Sequence, residues 1–149
     1  MTDLLDVNLL ISLAWPNHVH HRAALQWFNQ RGPEPWATTP LTESGFVRVS
    51  SNRAAIPAAV SPSAALAVLI RVCDQHGHVF LPDDVGLVLS HAGTPLVEPL
   101  LVAVHGLVMD AHLLALARRH GARLATLDRG LVALAASRPQ DVVLVPTGP

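Results

Sequence analysis

The chain has 149 residues, half of them hydrophobic, and a formal net charge of −1, which suits one compact domain over residues 1–149 and does not announce a strongly basic surface. Its lone cysteine, Cys73, excludes an intrachain disulfide and a cysteine zinc cluster, and the absence of lysine excludes a P-loop and Schiff-base chemistry. The longest apolar run, Ala64 to Ile70, is far short of the roughly 20 residues that span a bilayer, and Met1-Thr2-Asp3 opens no basic leader, so a cytoplasmic location is expected.

Leu4-Leu5 reads as a short buried strand ending at Asp6, and Val7 to Ala14 as a first helix broken by Pro16-Asn17. A second helix is expected from Val19 to Gln30, with Ala24, Trp27 and Phe28 at helical spacing, and Trp36 to Thr38 as a second strand. Thr39 followed by Pro40 is an N-cap and first-turn proline, opening a helix through Glu43 to Ser50. Asn52 to Val60 reads as a connection, and Pro62 to Gln75 as a helix capped by Ser61 or Ser63. Val79 to Leu81 is a third strand, and Asp83 or Asp84 is expected to open a helix through Ser90. Leu107 to His120 is the clearest helix, with Gly121 at its carboxyl end. A strand from Arg123 to Leu127, a helix from Leu131 to Ala136 and a strand from Val142 to Val145 complete the chain. Strands alternating with helices predict a three-layer α/β domain with a parallel sheet.

Acids fall at informative places in that layout. Asp6 and Asp128 each follow a strand, and open parallel sheets gather their sites outside the carboxyl ends of strands. Asp110 shares a helical face with Leu113, Leu114 and Ala117, which must pack on the sheet. Two carboxylates about 4 Å apart repel by roughly 4 kcal/mol at an effective dielectric near 20, so clustered acids call for a cation. Magnesium suits carboxylate oxygens, and manganese can replace it. The plainer readings are turn or N-cap residues for Asp6 and Asp128, a dipole-favoured acid for Asp110 and a solvated helix-face residue for Glu43.

The ordered set Leu-Leu-Asp6-Val-Asn8, Thr42-Glu43-Ser44-Gly-Phe-Val-Arg48, Asp110-Ala-His-Leu-Leu-Ala-Leu-Ala and Leu-Ala-Thr126-Leu-Asp128-Arg-Gly resembles the PIN-domain family, in particular the VapC toxins of bacterial toxin–antitoxin pairs. The resemblance spans residues 3 to 136. It implies a Rossmann-like α/β/α fold with a short central parallel sheet, and magnesium-dependent cleavage of single-stranded or looped RNA. It also implies a cradle for catalysis and metal made of Asp6, Glu43, Asp110 and Asp128, with Asn8 ordering the first aspartate and Thr126 hydrogen-bonding within the cluster. The implied partners are a cognate VapB-type antitoxin, RNA and a second copy of the chain. The stretch from Gly93 to Met109 is more apolar than the connection such a protein is expected to carry before its third acid.

Arg48 and Arg129 lie beside motif acids and are the candidates for phosphate contact, since a guanidinium fork binds two oxygens at once. His18 and His21 could meet on one helical face but lack further zinc ligands, and Cys73 is expected to be packed among Leu69, Ile70 and Val72. Trp27, Phe28 and Leu96 to Leu101 are expected to form an exposed apolar face for a dimer or antitoxin. A non-catalytic RNA- or antitoxin-binding module is the alternative function, and a metal-dependent phosphatase of small substrates a third.

Overall fold

A computed structural model describes residues 1–87 and 105–148. Five strands, β1 (Asp3–Leu5), β2 (Trp36–Thr38), β3 (His78–Phe80), β4 (Arg123–Thr126) and β5 (Val142–Leu144), form one sheet in the order β3-β2-β1-β4-β5, every pairing parallel. Six helices accompany them: α1 (Val7–Ala14), α2 (His21–Gln30), α3 (Pro40–Ser50), α4 (Pro62–Cys73), α5 (Val108–Arg119) and α6 (Arg129–Leu134). A single 3-10 turn, His105–Leu107, leads into α5.

The layering follows from strand periodicity. Leu4 and Leu5 are both fully buried, but successive side chains of a strand point to opposite faces. Leu4 packs with Ala37, Leu124 and the apolar faces of α5 and α6, whereas Leu5 packs with Trp36, Ala125 and residues of α1 to α4. A strand covered on both sides reads as an apolar run, as Leu4-Leu5 of β1 does. Among the described residues no helix is long and apolar enough to cross a membrane.

Close contact between α1 and α3 depends on Gly45. A Cβ there would lie 2.5 Å from Val7 Cγ2, so a hydrogen atom at this position lets the helices meet. At the end of α5, Gly121 takes a left-handed φ of 64°, and the Ala122 N–H returns to the Ala117 carbonyl at 2.8 Å, closing the helix. Asp3, at the amino end of β1, is buried with Arg31 and Arg123 against its two oxygens, each guanidinium Nε at 2.8 Å.

One expectation is corrected. The segment following β3 is not helical through Leu87: Asp83 bonds the His112 ring at 2.9 Å and Asp84 the His120 ring at 2.8 Å, so both carboxylates tie this segment to α5 instead of capping a helix. Of the apolar face expected around Trp27 and Phe28, both side chains are partly exposed: the Phe28 ring meets the Trp36 ring edge-on at 5.5 Å, and Trp27 packs against the same core beneath the Arg31 guanidinium. Leu96 to Leu101, the rest of that expected face, and most of the stretch from Gly93 to Met109 lie outside the described residues.

Candidate active site

The strand order reverses direction between β1 and β4, since the chain builds outward from β1 on one side and from β4 on the other. Such a switch point opens a crevice at the carboxyl ends of the two strands. Asp6 follows β1 and Asp128 follows β4 by two residues, so the two sequence-predicted acids flank that crevice. Asp110 stands in the first turn of α5, partly exposed, while Leu113, Leu114 and Ala117 of the same helix are buried.

Both strand-end aspartates also serve as helix caps. Asp6 Oδ1 accepts the Leu9 N–H at 2.7 Å and so caps α1, and Asp128 Oδ1 accepts the Gly130 N–H at 2.7 Å at the start of α6. The capping reading is therefore true of both residues without accounting for the rest of the geometry. Thr126, wholly buried at the end of β4, donates its hydroxyl proton to Asp6 Oδ2 and accepts the Asp128 N–H at 2.9 Å. One hydroxyl thereby couples the ends of β1 and β4.

Burial pushes the Asp6 carboxyl up from 3.8 to about 6, against the hydrogen bonds from Thr126 and Leu9; the charges of Asp110 and then Asp128 raise it further. Asp110 is raised as well, by burial first and Asp128 second. The three aspartates are thus close enough to resist sharing negative charge. Their donor atoms are all hard carboxylate oxygens, which fit a divalent cation of the magnesium type.

Glu43 lies elsewhere within the same region. Its Oε1 accepts the Thr38 hydroxyl at 2.6 Å, and Thr38 Oγ1 lies 2.8 Å from His78 Nε2, so the carboxylate is turned over β2 and β3. Cys73, at the end of α4, approaches the same group, and burial followed by the Glu43 charge pushes its thiol up. The charges of Asp110 and Asp128 thus reach Asp6, whereas Glu43 is held against Thr38.

A model of the PIN domain matches residues 4–137. The chain belongs to the PIN-domain family. Several relatives from Mycobacterium tuberculosis support the same placement. Ribonuclease VapC39 is 50% identical over 131 residues, covering 88% of this chain and 91% of that protein. Ribonuclease VapC38 is 47% identical over 140 residues, 94% of each chain. Ribonuclease VapC29 is 41% identical over 147 residues, covering 99% of this chain and 98% of its own.

Around this PIN-domain crevice the remaining expected residues fall as follows. Asn8 is exposed, and among the described residues no hydrogen bond joins its side chain to Asp6, whose partners are Leu9 and Thr126. Arg48 is exposed and lines an open cleft of about 490 Å³ between α3 and α4 together with Glu43 and Ser44. Arg129 is exposed directly after the Asp128 cap. Neither arginine forms an ion pair among the described residues. Thr38 and His78 were not singled out from sequence; they meet through the parallel pairing of β2 with β3, which sets Trp36 opposite His78.

Proposed function

We propose that this PIN domain, spanning the whole chain, is a magnesium-dependent endoribonuclease and the toxin of a VapBC-type pair, cutting single-stranded or looped RNA. The observation that carries the reading is the convergence of Asp6, Asp110 and Asp128 at the switch point, with two of their carboxyls pushed toward protonation by burial and mutual repulsion. The relatives named as ribonucleases support the same class of chemistry.

In this reading the three aspartates hold the cation, with Mn²⁺ able to substitute for Mg²⁺, and Glu43 is the fourth acid of the catalytic set. A bound Mg²⁺ supplies Lewis-acid charge for the phosphodiester oxygens and lowers the pKa of water. The protein's own groups orient and balance that charge. Leu9 N–H and Thr126 fix both oxygens of Asp6, so its carboxylate does not swing when substrate arrives. Arg48 and Arg129, free of acidic partners among the described residues, bind phosphate oxygens at either side of the acids. The acids accept the proton of the attacking water collectively. A cognate VapB antitoxin and a second copy of the chain are the protein partners, in the cytoplasm.

The test is direct. Purified, antitoxin-free protein incubated with total cellular RNA yields discrete fragments with Mg²⁺ and none with EDTA. Asp6→Asn and Asp110→Asn abolish the fragments while the fold, read by circular dichroism, is kept. Undiminished Mg²⁺-dependent cleavage by both variants overturns the proposal, and intact but shifted RNA assigns a binding module instead.

A further inference from the structure

Glu43 on α3, Cys73 at the end of α4 and His78 at the start of β3 offer one ligand atom each, and these atoms all lie within 4.8 Å of one another. We propose that these three side chains form a second cation site, for zinc or a similarly soft divalent ion, distinct from the aspartate cluster. Three independent elements deliver the donors. The chain leaves α4, turns at Gly77 with a left-handed φ of 82°, and enters β3 at once, which brings His78 back beside Cys73.

Donor chemistry and spacing both suit the ion. Zinc takes thiolate sulfur at roughly 2.3 Å and imidazole nitrogen or carboxylate oxygen at about 2.0–2.2 Å, usually in a tetrahedron, so its ligands sit roughly 3.3–3.8 Å apart. Closing the present cluster to that spacing takes at most roughly 1.5 Å of approach between side chains. Three protein ligands leave a fourth position open, as in zinc sites that also hold water. Thr38, wholly buried, flanks the cluster: its hydroxyl donates to Glu43 at 2.6 Å and lies 2.8 Å from His78 Nε2, so it orients two of the three ligands. Burial holds the His78 ring below its ordinary pKa, which keeps it neutral and able to ligate at neutral pH. Burial and the Glu43 charge disfavour the Cys73 thiolate in the metal-free protein, and a cation between the two groups relieves that conflict.

Sulfur and nitrogen donors separate this site from the oxygen-only aspartates, which favour magnesium or manganese. Glu43 is the one residue common to this site and to the proposed catalytic set, and an ion here holds it toward β3.

Cobalt(II) is the probe, because a cobalt–thiolate bond gives a near-ultraviolet charge-transfer band that oxygen ligands do not. The wild-type protein and an Asp6→Asn/Asp110→Asn variant, both reduced and metal-free, each bind one equivalent with that band, and zinc displaces it. Cys73→Ser abolishes the band, and His78→Gln weakens binding at least ~10-fold. Absence of the band in the wild type, its persistence in Cys73→Ser, or its loss in the aspartate variant overturns the proposal. Because the aspartate variant is inactive under the nuclease reading yet binds here, failure of one reading is distinguishable from failure of the other.

Discussion

Thr126 and Asp6 join the ends of two adjacent parallel strands through one hydroxyl, which donates to Asp6 Oδ2 while accepting the Asp128 N–H at 2.9 Å. Thr126→Val keeps the shape and removes both bonds. The Asp128 N–H then loses this acceptor in a part-buried setting, at a cost of about 0.5–1.5 kcal/mol. Asp6 loses a bond that favours its charged form, so its pKa rises above the present value of about 6. The acid limb of the pH–rate profile should move to higher pH in Thr126→Val and stay in place in Thr126→Ser. An unmoved limb in Thr126→Val would remove Thr126 from the site's electrostatics.

Asp6 also ties stability to pH. Its folded pKa of about 6 exceeds the ordinary 3.8, so between those values the folded state binds more protons than the unfolded one. Stability of the metal-free protein therefore falls as pH rises through that window, by roughly 2–3 kcal/mol. Asp110, raised in the same direction, adds to the effect. Denaturant titrations in EDTA should show Asp6→Asn more stable than wild type at pH 7.5 and little different near pH 4. Millimolar Mg²⁺ should narrow the difference by stabilising the wild type alone.

Much of this site could be read from sequence because two of its acids sit where strands end. Hydrophobic runs located β1 and β4, and the helical face of Leu113, Leu114 and Ala117 marked Asp110 as out of place. Glu43 was legible as an acid but not in its contacts, because Thr38, Cys73 and His78 come together only through the pairing of β2 with β3 and the packing of α4. The same blindness to distant partners misread Asp83 and Asp84, whose histidine partners lie on α5 and at its C-cap, 29 and 36 residues along the chain.

Arg48 and Arg129 are separable from the acids by their salt dependence. For single-stranded nucleic acid, each neutralised phosphate adds about 0.7 to the slope of log affinity against log salt. Arg48→Ala should weaken RNA binding and reduce that slope by roughly one such contact, with a smaller effect on single-turnover cleavage at saturating RNA. A variant whose affinity and slope match wild type would return Arg48 to an ordinary surface role.

Gly45 sets how near α1 and α3 can come. Gly45→Ala places a methyl group 2.5 Å from Val7 Cγ2 and should destabilise the protein by about 1–3 kcal/mol in urea titration. Val7→Ala in the same chain opens space for that methyl, so the double variant should recover part of the loss. Additive losses would show that the contact is not what Gly45 protects.

Asp3 and Asp6 stand at opposite ends of β1 in opposite company. Two guanidinium groups neutralise Asp3, whereas Asp6 meets further carboxylates. The near-zero net charge of the chain thus conceals a local field that repels polyanions at the very edge where RNA is proposed to dock. On the proposed reading, a divalent cation among the aspartates cancels most of their charge and so weakens that field. The proposed metal thereby gains a second task beside its chemistry: it lowers the repulsion that an approaching RNA strand meets at the end of β1.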